Sequence, residues 1–238
     1  MIQFPDHDLD IVILSNGAPE ANPVALARSV ADIVLGDQLA PSPVLVETNA
    51  YGDVLGHWWS PTTGMLYGLV DDAGELKLSI CGAPIALPLS PRGGGVLVCS
   101  SSSLGDIVVD LGAKKARGAL PIYFGGETHD YVRLKPLPDA RVMSAAIVGT
   151  YVCADADCSA KIDDSAGSLQ ISFRGRNGGW TAKLTPLSTQ VAIAVGDQAG
   201  DPFSIALSFD ANSGGFNLNG ARTRALRFER ALSDQMIC

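Results

Sequence analysis

Apolar and polar positions fall into three regimes along the chain. Residues 9–15 (LDIVILS) form an apolar run read as a buried strand, Ile11-Val12-Ile13-Leu14 at its centre. It pairs back through a turn at Pro5-Asp6-His7-Asp8 with Ile2-Gln3-Phe4, giving a hairpin. Asn22-Pro23 then opens a helix, with Asn as N-cap and Pro at the first helical position. Val24, Leu26, Ala27, Val30, Ala31, Ile33 and Val34 recur at helical period until Gly36 ends it. A buried strand of this kind needs neighbours on both sides, so the segment reads as part of a larger sheet. Residues 39–43 (LAPSP) read as a linker.

From about residue 46 the period changes to short alternating runs. MLYGLVDD, ELKLSIC, GVLVCSSS, DIVVDLG and YVRLKPL are each one strand long and broken by Gly, Asp or Pro. After PLPDARV (136–142) a second series follows, from IVGTYVC through SLQISFRG and FSIALSFD to ALRFERA. Strands this short and evenly spaced indicate an antiparallel barrel or sandwich. The two series also repeat each other. VDDAGELKLSICG (70–82) matches IDDSAGSLQISFRG (162–175), with Leu76, Leu78, Ile80 and Gly82 recurring as Leu169, Ile171, Phe173 and Gly175 at a constant offset of 93. Gly56 and Gly149 keep that offset. A repeat of this length means two similar domains in tandem. The fold expected is mainly β: a hairpin and helix over 1–40, a first barrel over 46–137 and a second over 141–232.

Charge and chemistry narrow the picture by exclusion. The net charge is −8 over 238 residues, and the densest basic run is Lys114-Lys115-Ala116-Arg117, so nucleic acid and anionic membrane surfaces are not expected partners. No run reaches the length of a membrane-spanning helix, and the first residues lack the pattern of a signal peptide. The five cysteines (81, 99, 153, 158 and 238) do not read as a disulfide framework. Cys153 and Cys158 flank a four-residue turn and could face each other across a hairpin, forming a disulfide in an oxidising compartment. Read as a zinc half-site they lack a second ligand pair, and two free thiols are the default.

No lysine has Ser three residues before it, and no G-x-S-x-G elbow occurs. Cys158-Ser159-Ala160-Lys161 comes nearest to S-x-x-K but lies amid expected strands. His7, His57 and His129 are scattered, and none has a visible orienting partner. Asp71-Asp72 and Asp163-Asp164 occupy equivalent turns and read as turn residues in preference to calcium ligands. PRGGGVLV is a bend between strands, because a P-loop would need Lys-Ser/Thr and a helix. Trp58-Trp59 reads as barrel core or rim, since adjacent strand residues face opposite sides. No cofactor or metal is expected.

Residues 4–37 (FPDHDLDIVILSNGAPEANPVALARSVADIVLGD) resemble the end of the catalytic domain of penicillin-recognising serine hydrolases, in the D-aminopeptidase and class C β-lactamase-like branch. GHWWSPTTGMLYGLVDDAGELKL resembles the opening strand of the D-aminopeptidase middle barrel. GTYVCADADCSAKIDDSAGSLQI and ALRFERA resemble its final, lipocalin-like barrel. The resemblance implies two up-and-down, lipocalin-like barrels behind a remnant of an α/β hydrolase domain. In that family Ser-x-x-Lys, Tyr-x-Asn and His-x-Gly or Lys-Thr-Gly motifs carry amide hydrolysis through an acyl-serine. None occurs in this chain, and all three would lie upstream of Met1, so no catalytic residue carries over.

The resemblance further implies that a loop of the last barrel restricts substrate access. The candidates are residues 196–201, through Gly196, Asp197, Gln198 and Asp201, and residues 212–215. The partner it implies is a catalytic domain, in cis or in trans, with a homodimer as a further assembly. Alternatives are a stand-alone barrel that binds a small ligand, or a subunit completing a separate catalytic chain. Cytoplasm and periplasm both stay open, with the cytoplasm favoured.

Overall fold

The structure is a computed structural model that describes residues 1–15, 23–38, 46–83, 85–101, 105–137, 141–165, 168–176, 178–198, 201–210, 214–220 and 223–231. At its start, β1 (Ile2–Phe4) and β2 (Leu9–Ile11) form a hairpin crossed by α1 (Pro23–Leu35). Ile11, Ala27 and Ala31 are buried there against Ile2, Phe4, Leu9, Ile13 and Val30. The strand expected over 9–15 stops at Ile11. Its partner supplies three residues, and Ile2↔Ile11 is the last pair, so the ladder ends there. Val12 and Leu14 are consequently 62% and 92% exposed. The helix stripe is half used as well: Leu26, Ile33 and Val34 face outward. The Asn22 cap and the 39–43 linker fall outside the described residues.

The first barrel runs through β3 (Gly56–Trp59), β4 (Leu66–Asp72), β5 (Glu75–Ile80), β6 (Leu87–Pro88), β7 (Ser90–Gly93), β8 (Val96–Ser101), β9 (Gly105–Asp110), β10 (Leu120–Phe124) and β11 (Glu127–Arg133). The sheet order is β6-β5-β4-β3-β11-β10-β9-β8-β7. Its two edges, β6 and β7, are halves of one extended segment broken at Leu89. The sheet thus curls into a nearly closed barrel of eight strand positions. Pro88 and Pro91 have no N–H to donate, and the register shifts between Pro91 and Gly93, which suits a strand changing partners.

The second barrel is closed and up-and-down: β12 (Gly149–Cys153), β13 (Cys158–Ser165), β14 (Ser168–Gly175), β15 (Gly178–Pro186), β16 (Val191–Gln198), β17 (Asp201–Phe209), β18 (Phe216–Asn219) and β19 (Leu226–Arg230), which returns to β12. The 93-residue repeat is visible in the ladders. Gly56↔Leu69 and Leu69↔Leu78 recur as Gly149↔Ile162 and Ile162↔Ile171. Both interiors are filled. Trp58, Met65, Tyr67 and Tyr131 occupy the first, and Tyr151, Phe173, Phe216 and Phe228 the second. Phe216 stacks on Phe228 with ring centroids 4.7 Å apart.

Each barrel is shut at the end where its first strand begins, and the two closures match. In the first, single-turn 3-10 segments (Thr48–Ala50 and Gly52–Val54) precede β3; in the second, α3 (Arg141–Ile147) precedes β12. Trp58 Nε1 donates to the Val54 carbonyl at 2.8 Å, and Tyr151 Oη donates to the Ile147 carbonyl at 2.6 Å. Arg133 donates to the Asp53 and Leu55 carbonyls, and Arg230 to those of Ala146 and Val148. Each acceptor and each aromatic keeps the 93-residue offset. Gly56 and Gly149 adopt positive φ (124° and 154°), which turns the chain into the first strand directly beneath the guanidinium. This end of the first barrel also carries α2 (Leu111–Arg117), capped by Asp110 Oδ1 accepting from Ala113 N at 2.8 Å and closed by left-handed Gly118.

The opposite end of the first barrel rests on the wall of the second. Val191 and Ala206, from β16 and β17, are buried within the first barrel's core cluster, with Ile193 and Leu187 against it. Ser204 Oγ donates to the Ile80 carbonyl at 3.4 Å, and Cys81 is hydrogen-bonded to the Ala206 backbone. The Arg224 guanidinium lies 5.3 Å from the Phe124 ring centroid. No helix among the described residues is long and apolar enough to cross a membrane.

Candidate functional site: the open rim of the second barrel

Alternation along the strands decides what reaches the free rim of the second barrel. On β14 the buried positions are Leu169, Ile171 and Phe173; on β15, Ala182 and Leu184 share a face with Trp180. On β17, Ile205 and Leu207 share a face with Phe203. The last inward residue of each of these strands is therefore aromatic. Phe173 and Trp180 lie 4.0 Å apart between ring centroids, and Trp180 and Phe203 4.5 Å apart and edge to face. Trp180 and Phe203 are only half-buried, so they form an apolar lid with one side wet.

The hairpin expected to restrict access belongs to this rim. Gly196, Asp197 and Gln198 are the last residues of β16, and Asp201 is the first of β17, paired Gly196↔Phe203, Asp197↔Pro202 and Gln198↔Asp201. The segment is thus strand almost to its tip, where the sequence suggested a free loop; residues 199–200 lie outside the described set. Gly196 has a packing reason. A methyl there would meet Phe203 Cζ at 2.6 Å and Ala182 Cβ at 3.1 Å, so its missing side chain makes room for the Phe203 ring. The second candidate loop is described only at Gly214 and Gly215. It lies between β17 and β18, at the closed end, away from this rim.

Cys153 and Cys158 complete the rim. They are register partners closing the β12–β13 hairpin, both thiols free, Cys153 buried and Cys158 half-buried. Burial, then the neighbouring Cys153, raises the Cys158 thiol above its ordinary value. A cleft of about 290 Å³ opens beside them, lined by Val152 to Ala154, Asp157 to Ser159 and Arg174. One of about 430 Å³ runs over the outer face of β14 and β15, where Ser172 and Thr181 share a 2.9 Å hydroxyl hydrogen bond.

The other sequence candidates are structural. Asp71 Oδ1 accepts from Gly74 N at 2.9 Å in its turn, and Asp72 pairs with Lys77 at 2.7 Å. Trp58 is buried core and Trp59 packs at its margin. His129 pairs with Glu127 at 3.1 Å, and His57 is held below its ordinary pKa by burial. A depression of about 530 Å³ at the closed end of the first barrel contains the Lys114–Asp53 ion pair (2.9 Å). Among the described residues no group of three or more His, Cys, Asp or Glu is placed to hold a metal ion. Sequence reading missed the lid of Phe173, Trp180 and Phe203. Its one signal is Gly-Gly-Trp at 178–180, an aromatic at a strand's first inward position.

The fold and rim define a tandem pair of packed eight-position barrels with an aromatic-lidded free end. No family model matches the chain, and no curated protein matches it. Among solved structures, an octameric penicillin-binding protein homologue from Pyrococcus abyssi is similar at 11% identity and a TM-score of 0.29. The alignment covers 60% of this chain and 36% of that one, so the chain spans little more than a third of that protein's length. Neither its assembly nor its binding carries over at that distance.

Proposed function

We propose that this chain is the non-catalytic, C-terminal part of a D-aminopeptidase-like serine hydrolase. It divides into a catalytic-domain remnant (1–40), a first barrel (46–137) and a second barrel (141–232). The observation that carries the reading is the apolar surface left on the first unit. Val12, Leu14, Leu26, Ile33 and Val34 are exposed on both the hairpin and the helix, which suits elements that belong to a larger sheet. The sequence resemblance supplies the identity of that sheet. The filled interiors weigh against a lipocalin-style ligand, because the second barrel holds Phe173, Trp180, Phe203, Phe216 and Phe228 where such a ligand would lie.

In the whole enzyme the catalytic domain, in cis or in trans, supplies the serine nucleophile and its lysine base. The serine attacks an amide carbonyl, the amine leaves, and water releases the acyl group. This chain contributes rigid support, and its β16–β17 hairpin limits the space in front of the acyl-serine. The test joins the chain to its catalytic domain and replaces Asp197, Gln198 and Asp201 together by Ala. Hydrolysis of extended peptide amides is expected to rise about tenfold relative to D-alanine p-nitroanilide, equivalent to ~1.4 kcal/mol of relieved exclusion. An unchanged ratio removes the gating role.

A further inference from the structure

We propose that Cys153 and Cys158 are a reversible redox pair at the rim of the second barrel, a modification site independent of the hydrolase reading. The geometry is that of a disulfide waiting to close. The two residues are direct register partners in an antiparallel ladder. Such partners have Cα atoms about 4.5–5.5 Å apart, within the 4.4–6.8 Å that a disulfide spans. As direct partners their side chains stand on the same face of the ladder, close enough for Cys153 to act on the Cys158 thiol. Closing the bond therefore requires rotation of two side chains and no movement of the strands. The other described cysteines differ in kind: Cys81 and Cys99 are buried in the first barrel's core cluster.

The oxidant is a low-molecular-weight disulfide such as oxidised glutathione, and the reaction is thiol–disulfide exchange. Cys158, the more exposed thiol, loses its proton and attacks one sulfur of the oxidant. One glutathione leaves as thiolate, giving a mixed disulfide on Cys158. Cys153, deprotonated in turn, attacks the Cys158 sulfur and expels the second glutathione. Two protein thiols become one disulfide, the oxidant becomes two thiols, and the two protons released by the cysteines end on them. The attacking species is the thiolate, and burial keeps it scarce on Cys158 at neutral pH. The exchange is therefore slow near pH 7 and quickens about tenfold per pH unit below the thiol's pKa. The product pins the β12–β13 hairpin shut at the barrel's free end.

The experiment uses the full chain, equilibrated in glutathione buffers of increasing oxidised fraction, then quenched with N-ethylmaleimide in denaturant, so that buried Cys153 is labelled as well, and digested with trypsin. Both cysteines fall in one tryptic peptide, 142–161. As the oxidised fraction rises, that peptide is expected to lose both labels and two hydrogens together, and dithiothreitol before quenching restores both labels. In Cys153→Ser the reaction is expected to stop at a glutathione adduct on Cys158. The proposal is overturned if wild-type protein keeps both labels in the most oxidising buffer. It is equally overturned if the wild type accumulates the Cys158 adduct without closing, or if Cys158 links to a different cysteine. The wild-type measurement needs no variant to fold.

Discussion

Gly82→Ala is the substitution that tests most sharply how the two barrels meet. Gly82 stands in the turn after β5 at φ +74°, facing Ile193 on the wall of the second barrel. A methyl there would lie 2.8 Å from Ile193 Cδ1 and 3.1 Å from its Cγ2. Two costs combine: a left-handed non-glycine residue costs about 1–2 kcal/mol, and overpacking adds about 1–3 kcal/mol. Gly74→Ala isolates the first, because Gly74 has φ +86° and open space where the methyl would go. Urea unfolding followed by tryptophan fluorescence reports both units, since Trp58 and Trp59 sit in the first barrel and Trp180 in the second. Gly82→Ala is expected to lose about 1–3 kcal/mol more than Gly74→Ala. Truncating the opposing side chain closes the argument: in a cycle with Ile193→Ala, the two changes should couple by about 1–3 kcal/mol, as residues in contact do. Additivity within about 0.5 kcal/mol, with both glycine variants equally destabilised, would refute the joint.

Tyr151→Phe removes the hydroxyl that satisfies the Ile147 carbonyl and accepts from Arg230, and should cost about 1–3 kcal/mol in thermal or urea unfolding. Gly196→Ala should displace Phe203 from the lid, seen as a changed Trp180 emission with a stability loss of about 1–3 kcal/mol. The Cys81 and Cys99 thiols, both pushed up to about 11 by burial, should resist alkylation at neutral pH until the first barrel unfolds. His57 titrates below its ordinary value near 6.5 because burial disfavours the charged ring, so the unfolded chain takes up the proton first. Its contribution is fully present above pH 6.5 and is lost as pH falls through the lowered folded value; His57→Gln should flatten that part of the stability profile.

Much of the barrel architecture was legible because strand periodicity and the 93-residue repeat are local signals. Leu76/Leu169 and Leu78/Ile171 mark the same inward face in each barrel, and the ladders keep that equivalence. The helices α2 and α3 were missed. Each is only seven residues long, and Gly112 weakens the pattern of the first, although Asp110 and Gly118 are ordinary capping signals. The strand over 9–15 was overestimated because an apolar run gives no information on the length of its partner. Residues 196–201 were read as a loop, whereas 196–198 and 201 are strand. The aromatic lid was not legible, since Gly196 opposite Phe203 acquires meaning only once the register is known. The same holds for the joint, where Gly82 meets Ile193 across 111 residues of sequence.

The most direct test of the account is hydrolysis of D-alanine p-nitroanilide by the purified chain, alone and after joining to a catalytic domain bearing Ser-x-x-Lys. The account predicts no turnover by the chain alone, and turnover in the joined protein that disappears when that serine is replaced by Ala. Turnover by the isolated chain would contradict it, because it would place the nucleophile among residues assigned to structural roles.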